Sequence, residues 1–131
     1  MKKYIFSALA SVLLSTSATA EWVRIGENNR WVAYADTAVR YSGATAYYWV
    51  MYDYKAVQES PRSGKRYLSE KAQYETRCQA EQNRVRFFTW HSERMGNGVV
   101  VYTGNKPTTW EPTSAPDSIA NSFWKFVCFQ R

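Results

Sequence analysis

Two cysteines stand 50 positions apart in this chain, and the second, Cys128, closes a short amphipathic helix. The stretch from Trp110 to Cys128 enters through Pro112 and Pro116. It then places Ile119, Phe123, Phe126 and Val127 at the i, i+4, i+7, i+8 spacing of one helical face. Ser114 and Asp117 read as a capping box, with Pro116 in the first turn where its missing N–H costs nothing. A helix of about 14 residues is marginal alone in water, so its stability must come from docking. Cys78, inside a strand-like stretch, marks where it docks.

The compartment follows from the other end. Met1, Lys2 and Lys3 precede an apolar run from Tyr4 to Leu14, and small residues lead to Ala18-Thr19-Ala20. This pattern predicts a signal peptide over residues 1–20, cleaved before Glu21. The apolar run is far below the ~20 residues that span a bilayer, so membrane insertion is not expected. No cysteine lies near the cleavage site, so no lipid anchor is expected either, and the product is read as periplasmic or secreted. Residues 21–131 then form one domain of the commonest size. Losing Lys2 and Lys3 leaves 15 basic against 11 acidic side chains, a charge of +4 rather than +6. That mild excess favours anionic surfaces without naming one.

In an exported chain, two cysteines with none left over most simply pair with each other. The alternative, a zinc site, fails for want of ligands: His91 is the sole histidine and sits in no Cys/His cluster. Neither a metal nor a cofactor is therefore expected. Closing a loop of this length stabilises by roughly 4 kcal/mol in the chain-entropy model.

Between the leader and the helix the chain reads as strands and turns. Trp22 to Ile25 and Val32 to Tyr34 come first. The most strand-like run, Ala44 to Val57, follows a Ser42-Gly43 turn. A polar loop around Pro61 and Gly64 leads into Arg66 to Cys78, then come Arg84 to Met95, a Gly96-Asn97-Gly98 turn, and Val99 to Tyr102. Antiparallel hairpins closed by one helix make an α+β architecture. On Arg66 to Cys78, Leu68, Ala72, Tyr74, Thr76 and Cys78 take the apolar side, and Ser69, Lys71, Gln73, Glu75 and Arg77 the wet side.

The Ala44 to Val57 run is apolar on both parities. Tyr48, Val50, Tyr52 and Tyr54 share one face and Tyr47, Trp49 and Met51 the other, so both faces must be covered. The helix can cover one. A curled sheet, a ligand or a second copy must cover the other, and a homodimer contact at Tyr48 or Trp49 is the assembly this suggests.

Candidate chemistry is sparse. Ser122-x-x-Lys125 matches the nucleophile motif of penicillin-binding enzymes, but its partner motifs are missing, and His91 has no nominated nucleophile or carboxylate. No Gly-rich phosphate loop is present, so an enzyme is not expected. Arg84, Arg86, Phe88 and Trp90 alternate basic and aromatic side chains along one strand parity, a candidate binding surface for sugars or anionic protein segments. Export argues against nucleic acid as its natural ligand.

Several stretches together carry a likeness. They are Trp22, Tyr34-x-Asp36, Trp49-Val50-Met51-Tyr52-Asp53-Tyr54, Ser69 and Cys78, Met95-Gly96-x-Gly98-Val99-Val100, Trp110-Glu111-Pro112, and Pro116-x-Ser118 through Cys128. In order and spacing they resemble the surface-adhesin E-like family of Gram-negative bacteria. The resemblance implies an antiparallel sheet of about six strands with the C-terminal helix held on its concave face by the disulfide. It also implies a non-enzymatic binding protein of the cell envelope that recognises host or envelope proteins or glycans, matrix proteins among them, and self-associates. From a different class, the alternative is a small periplasmic inhibitor of a hydrolase.

Overall fold

The long aromatic run becomes the central strand of an antiparallel sheet, β4 (Thr45–Glu59). Before it come β1 (Trp22–Glu27), β2 (Trp31–Asp36) and the short β3 (Arg40–Ser42). After it come β5 (Arg66–Arg77), β6 (Gln82–His91), β7 (Val100–Gly104), the two-residue β8 (Glu111–Pro112) and the helix α1 (Ile119–Cys128). The computed structural model describes residues 21–129, so the leader reading lies outside the described residues. Six strands run in the order β1-β2-β4-β5-β6-β7, while β3 shares an edge of β4 with β2, and β8 shares an edge of β6 with β7. The about six expected strands are these six, with two short additions.

Helix α1 lies across one face of this sheet. Phe123 and Val127 are fully buried against Ala33, Ala35, Ala46, Tyr48 and Val50, with Ile119 and Phe126 packed alongside. The three alanines leave room for the helix, and Gly26 on β1 continues that space, since a Cβ there would stand 3.1 Å from the Ile119 side chain. The Cys78–Cys128 disulfide joins Cα atoms 5.6 Å apart and tethers the last turn. Trp124 reinforces the tether by donating its indole N–H to the Cys78 carbonyl at 2.9 Å, and Tyr41 donates to the Val127 carbonyl.

The helix start differs from the capping box expected at Ser114 and Asp117. Ser118 is the N-cap and its hydroxyl accepts the Asn121 N–H at 3.1 Å, which gives ten helical residues rather than about fourteen. Asp117 takes a left-handed φ of 61°, a conformation that cannot be continued as helix, so the first turn is spent as a loop. Buried Asn121 then pins the loop to the helix by donating to the Thr113 carbonyl at 2.9 Å.

Part of the other face of β4, around Met51 and Asp53, is covered by the chain itself. Between β6 and β7 the backbone forms a 3-10 turn at Arg94–Gly96, which folds back over β4 and β5. The Met95 N–H bonds Asp53 Oδ1 at 3.0 Å, and the Gly96 N–H bonds Ser69 Oγ at 2.8 Å. Met51, one pair along the same face from Asp53, is fully buried, and so is Ser69 from the side expected to be wet. The sequence places no apolar run in that connection, so its role as a cover was not visible. Tyr48 in turn sits beneath the helix, 1 % exposed, with its hydroxyl 2.7 Å from Thr76 Oγ1. It offers no surface to a second copy, and of the two suggested contact residues only half-buried Trp49 reaches the outside, packed edge-on to Phe87 at 5.2 Å.

Candidate binding surfaces

Arg84, Arg86, Phe88 and Trp90 do not share a face. The register runs from Gln73↔Phe87 directly to Tyr74↔Val85, so Arg86 is an extra residue in a β-bulge and the alternation inverts across it. Phe88 and Trp90 pair with Ala72 and Glu70 on the helix face, whereas Arg84 pairs with Glu75 on the outer face and Arg86 lies over Tyr47 there. The predicted surface is in fact two surfaces.

On the helix face, beyond the reach of α1, the aromatic rings form a continuous floor. Tyr67 stacks on Trp90 with centroids 4.2 Å apart and planes 5° from parallel, and Tyr54 meets Tyr67 edge-on at 5.7 Å. Tyr102 of β7 lies 4.9 Å from Trp90 and 5.8 Å from Phe88. Phe88 lies flat over Gly104, where a Cβ would come within 2.3 Å of its ring. The β4–β5 hairpin rises beside this floor and makes a hollow of about 200 Å³ lined by Ser60, Pro61, Arg62, Phe88, Trp90 and Tyr102. The hollow continues past Arg62, Phe88 and Tyr102 toward Asn105 and Lys106. Sequence reasoning found Phe88 and Trp90 but missed Tyr102, which joins them through the β6–β7 register, and Tyr67 and Arg62, which join them through the β4–β5 hairpin.

Under the floor sits Glu70, which accepts the Trp90 indole N–H at 2.8 Å. Burial raises its carboxyl pKa above the ordinary 4.5, against the lowering effect of that hydrogen bond. A raised folded-state pKa means that the folded chain takes up this proton before the unfolded chain does. The stability contribution of Glu70 therefore grows as pH falls through the raised folded value toward 4.5, and it is lost as pH rises through it. A carbon-13 titration of the Glu70 carboxyl is expected to show a midpoint above 4.5, and Glu70→Gln should flatten this part of the pH dependence while keeping the indole bond. A midpoint at or below 4.5 would mean that water reaches the carboxylate.

The outer face carries a second arrangement. Arg40 and Arg86 approach the Tyr47 ring at 5.3 and 5.6 Å, and Arg77 and Arg84 approach the Trp110 ring at 3.8 and 4.6 Å. Glu75, nearly buried, holds Arg84 through an Nε–Oε2 contact of 2.7 Å.

His91 is buried on this outer face beneath the 3-10 connection, its Nε2 2.8 Å from Thr89 Oγ1. Burial, then the charge of Lys71, lowers its pKa below 6.5, so it is neutral near pH 7. No carboxylate bonds its ring, so a catalytic relay is not assembled around it. Ser122 bonds the Ser118 carbonyl within the helix. Among the described residues no cluster of three or more His, Cys, Asp or Glu could hold a metal ion, and no helix is long and apolar enough to cross a membrane.

A helix sealed by a disulfide onto one face of an antiparallel sheet, with surfaces lined by aromatic and basic side chains, defines a small α+β protein with no assembled catalytic relay among the described residues. The chain belongs to the surface-adhesin protein E family, which matches residues 22–129. Its fold is that of Haemophilus influenzae protein E. One crystal form of that protein superposes with a TM-score of 0.64 at 13 % identity, covering 82 % of this chain and 87 % of the other. Protein E from non-typeable Haemophilus influenzae superposes with a TM-score of 0.62 at 12 % identity, covering 82 % and 75 %. No curated protein sequence matches significantly.

Proposed function

We propose that this chain is a non-enzymatic, exported binding protein that takes a protein segment or a glycan into the groove floored by Phe88, Trp90 and Tyr102. The observation that carries this reading is the open aromatic floor itself. Tyr48 and Phe123 are fully buried between the sheet and α1, whereas Phe88, Trp90 and Tyr102 stay half-buried and line up beside a hairpin. Ring faces are suited to the C–H faces of sugars and to extended peptide side chains, because both bury apolar area without requiring a charged partner. Arg62 and Lys106 on the rim form no ion pair among the described residues, so they can meet a polar or anionic end of the ligand. Membership of a surface-adhesin family supports recognition at the envelope.

Tyr102→Ala removes a ring from the edge strand without touching the core. It is expected to weaken binding to whichever host protein or glycan is captured in an immobilised screen by about tenfold or more, an effect of the size seen for an aromatic anchor at the centre of an interface. Its melting temperature should stay near that of the parent. Undiminished capture by Tyr102→Ala would remove the groove from the reading. Protection of the protein in intact cells from added protease would remove surface display.

A further inference from the structure

The end of the outer face where β3, β4, β5 and β6 lie side by side gathers four arginines around two rings. The register sets Arg40, Tyr47, Glu75 and Arg84 in one cross-strand row, and Arg86 reaches into that row from the bulge. Arg77, the next outward position after Glu75, joins Arg84 over Trp110. The one carboxylate in the row is Glu75, and it is already held by Arg84. Three guanidiniums, those of Arg40, Arg77 and Arg86, have no ion-pair partner among the described residues.

We infer that this row is a binding site for a sulfated or phosphorylated polysaccharide chain, distinct from the aromatic groove and independent of it. Two guanidiniums brought to one ring repel each other, and the ring quadrupole offsets only part of that repulsion. An oxyanion placed between them relieves the rest. A guanidinium laid over a ring keeps its N–H edge directed outward in a fixed plane, the geometry that bonds sulfate or phosphate oxygens in a bidentate manner.

Two such pairs stand on one rigid sheet. Arg40 and Arg84 are separated by three strand spacings, roughly 14 Å, so the site suits a chain bearing several anionic groups better than a single anion. Arginine lies over the rings of both Tyr47 and Trp110, so neither ring of the row is a bare platform for a nucleic acid base. The bulge is what makes this possible, because regular alternation would have sent Arg84 and Arg86 to the same face as Phe88 and Trp90.

The test is fluorescence anisotropy with a labelled, size-defined heparin octasaccharide, the chain being residues 21–131 with its disulfide intact. Binding is expected to weaken steeply with added salt, as counterion release requires. Arg40→Gln/Arg77→Gln/Arg86→Gln should lose about tenfold or more of the affinity while leaving the Glu75–Arg84 pair in place. Should that variant fold poorly, as judged by its melting temperature, Arg40→Lys/Arg86→Lys keeps the charge and is expected to lose about threefold through the lost bidentate geometry. Tyr102→Ala is expected to bind the octasaccharide as the parent does, which separates this site from the groove. The inference is overturned if the glutamine variant binds within twofold of the parent. It is also overturned if Tyr102→Ala abolishes binding, or if single-stranded DNA or poly-glutamate of equal charge competes as well as the unlabelled octasaccharide.

Discussion

Phe123→Ala is expected to destabilise the protein by about 3 to 5 kcal/mol, the range for deleting a fully buried ring. Phe123 is 0 % exposed and is the side chain through which the helix meets the sheet. Its ring lies 5.5 Å from Tyr74, 6.3 Å from Tyr52 and 6.4 Å from Tyr48. These three tyrosines cannot close the cavity. Tyr48 is held by its bond to Thr76, and Tyr52 and Tyr74 are bonded to each other at 2.9 Å. The loss would therefore fall at the upper part of the range, a large share of the 5 to 15 kcal/mol by which such domains are stable. Urea unfolding followed by tryptophan fluorescence measures it. A loss below about 1.5 kcal/mol would mean that the helix repacks without its anchor.

Cys128→Ser should cost roughly 4 kcal/mol, the chain-entropy value for a loop of 50 residues. Its effect should also be local before it is global. The sheet is hydrogen-bonded without the helix, whereas the last turn of α1 depends on the disulfide, on the Trp124 bond to Cys78 and on Tyr41. Amide exchange is expected to accelerate over Ile119–Cys128 well before β4 and β5 respond. Equal acceleration in helix and sheet would show that the two unfold as one unit. Because both substitutions release the same helix, the double variant is expected to lose less than the two losses added together.

The expected pairing of Cys78 with Cys128 and the face of α1 were legible because each rests on local chemistry. A helix face repeats within four residues, and two cysteines in an exported chain have one simple solution. The hairpins were legible for the same reason. Gly43, Gly64, Gly96 and Gly98 all take left-handed φ, and each marks a turn between strands or within a connection. The helix cap was misplaced by four residues because Ser114 and Ser118 offer the same side chain, and only the left-handed backbone at Asp117 decides between them.

The candidate surfaces were legible only in part. Arginines and aromatics alternating along β6 identified the right strand, but parity predicts a face only while the alternation is unbroken. The bulge at Arg86 carries no Gly or Pro to announce it, since it answers to the pairing of β6 with β5 rather than to any preference of its own residues. One inserted residue exchanged the faces and turned a single expected surface into an aromatic groove and an arginine row. The cover over Met51 was hidden likewise, because a polar connection buries a neighbour through its backbone and not through its composition. From its sequence alone, then, this chain determines its secondary elements, its cross-link and the helix face that docks, all of which are set by contacts close in sequence or by covalent chemistry. Tertiary structure decides which side chains share a surface, because that depends on strand register and on which loop folds back, and both are set by residues tens of positions apart.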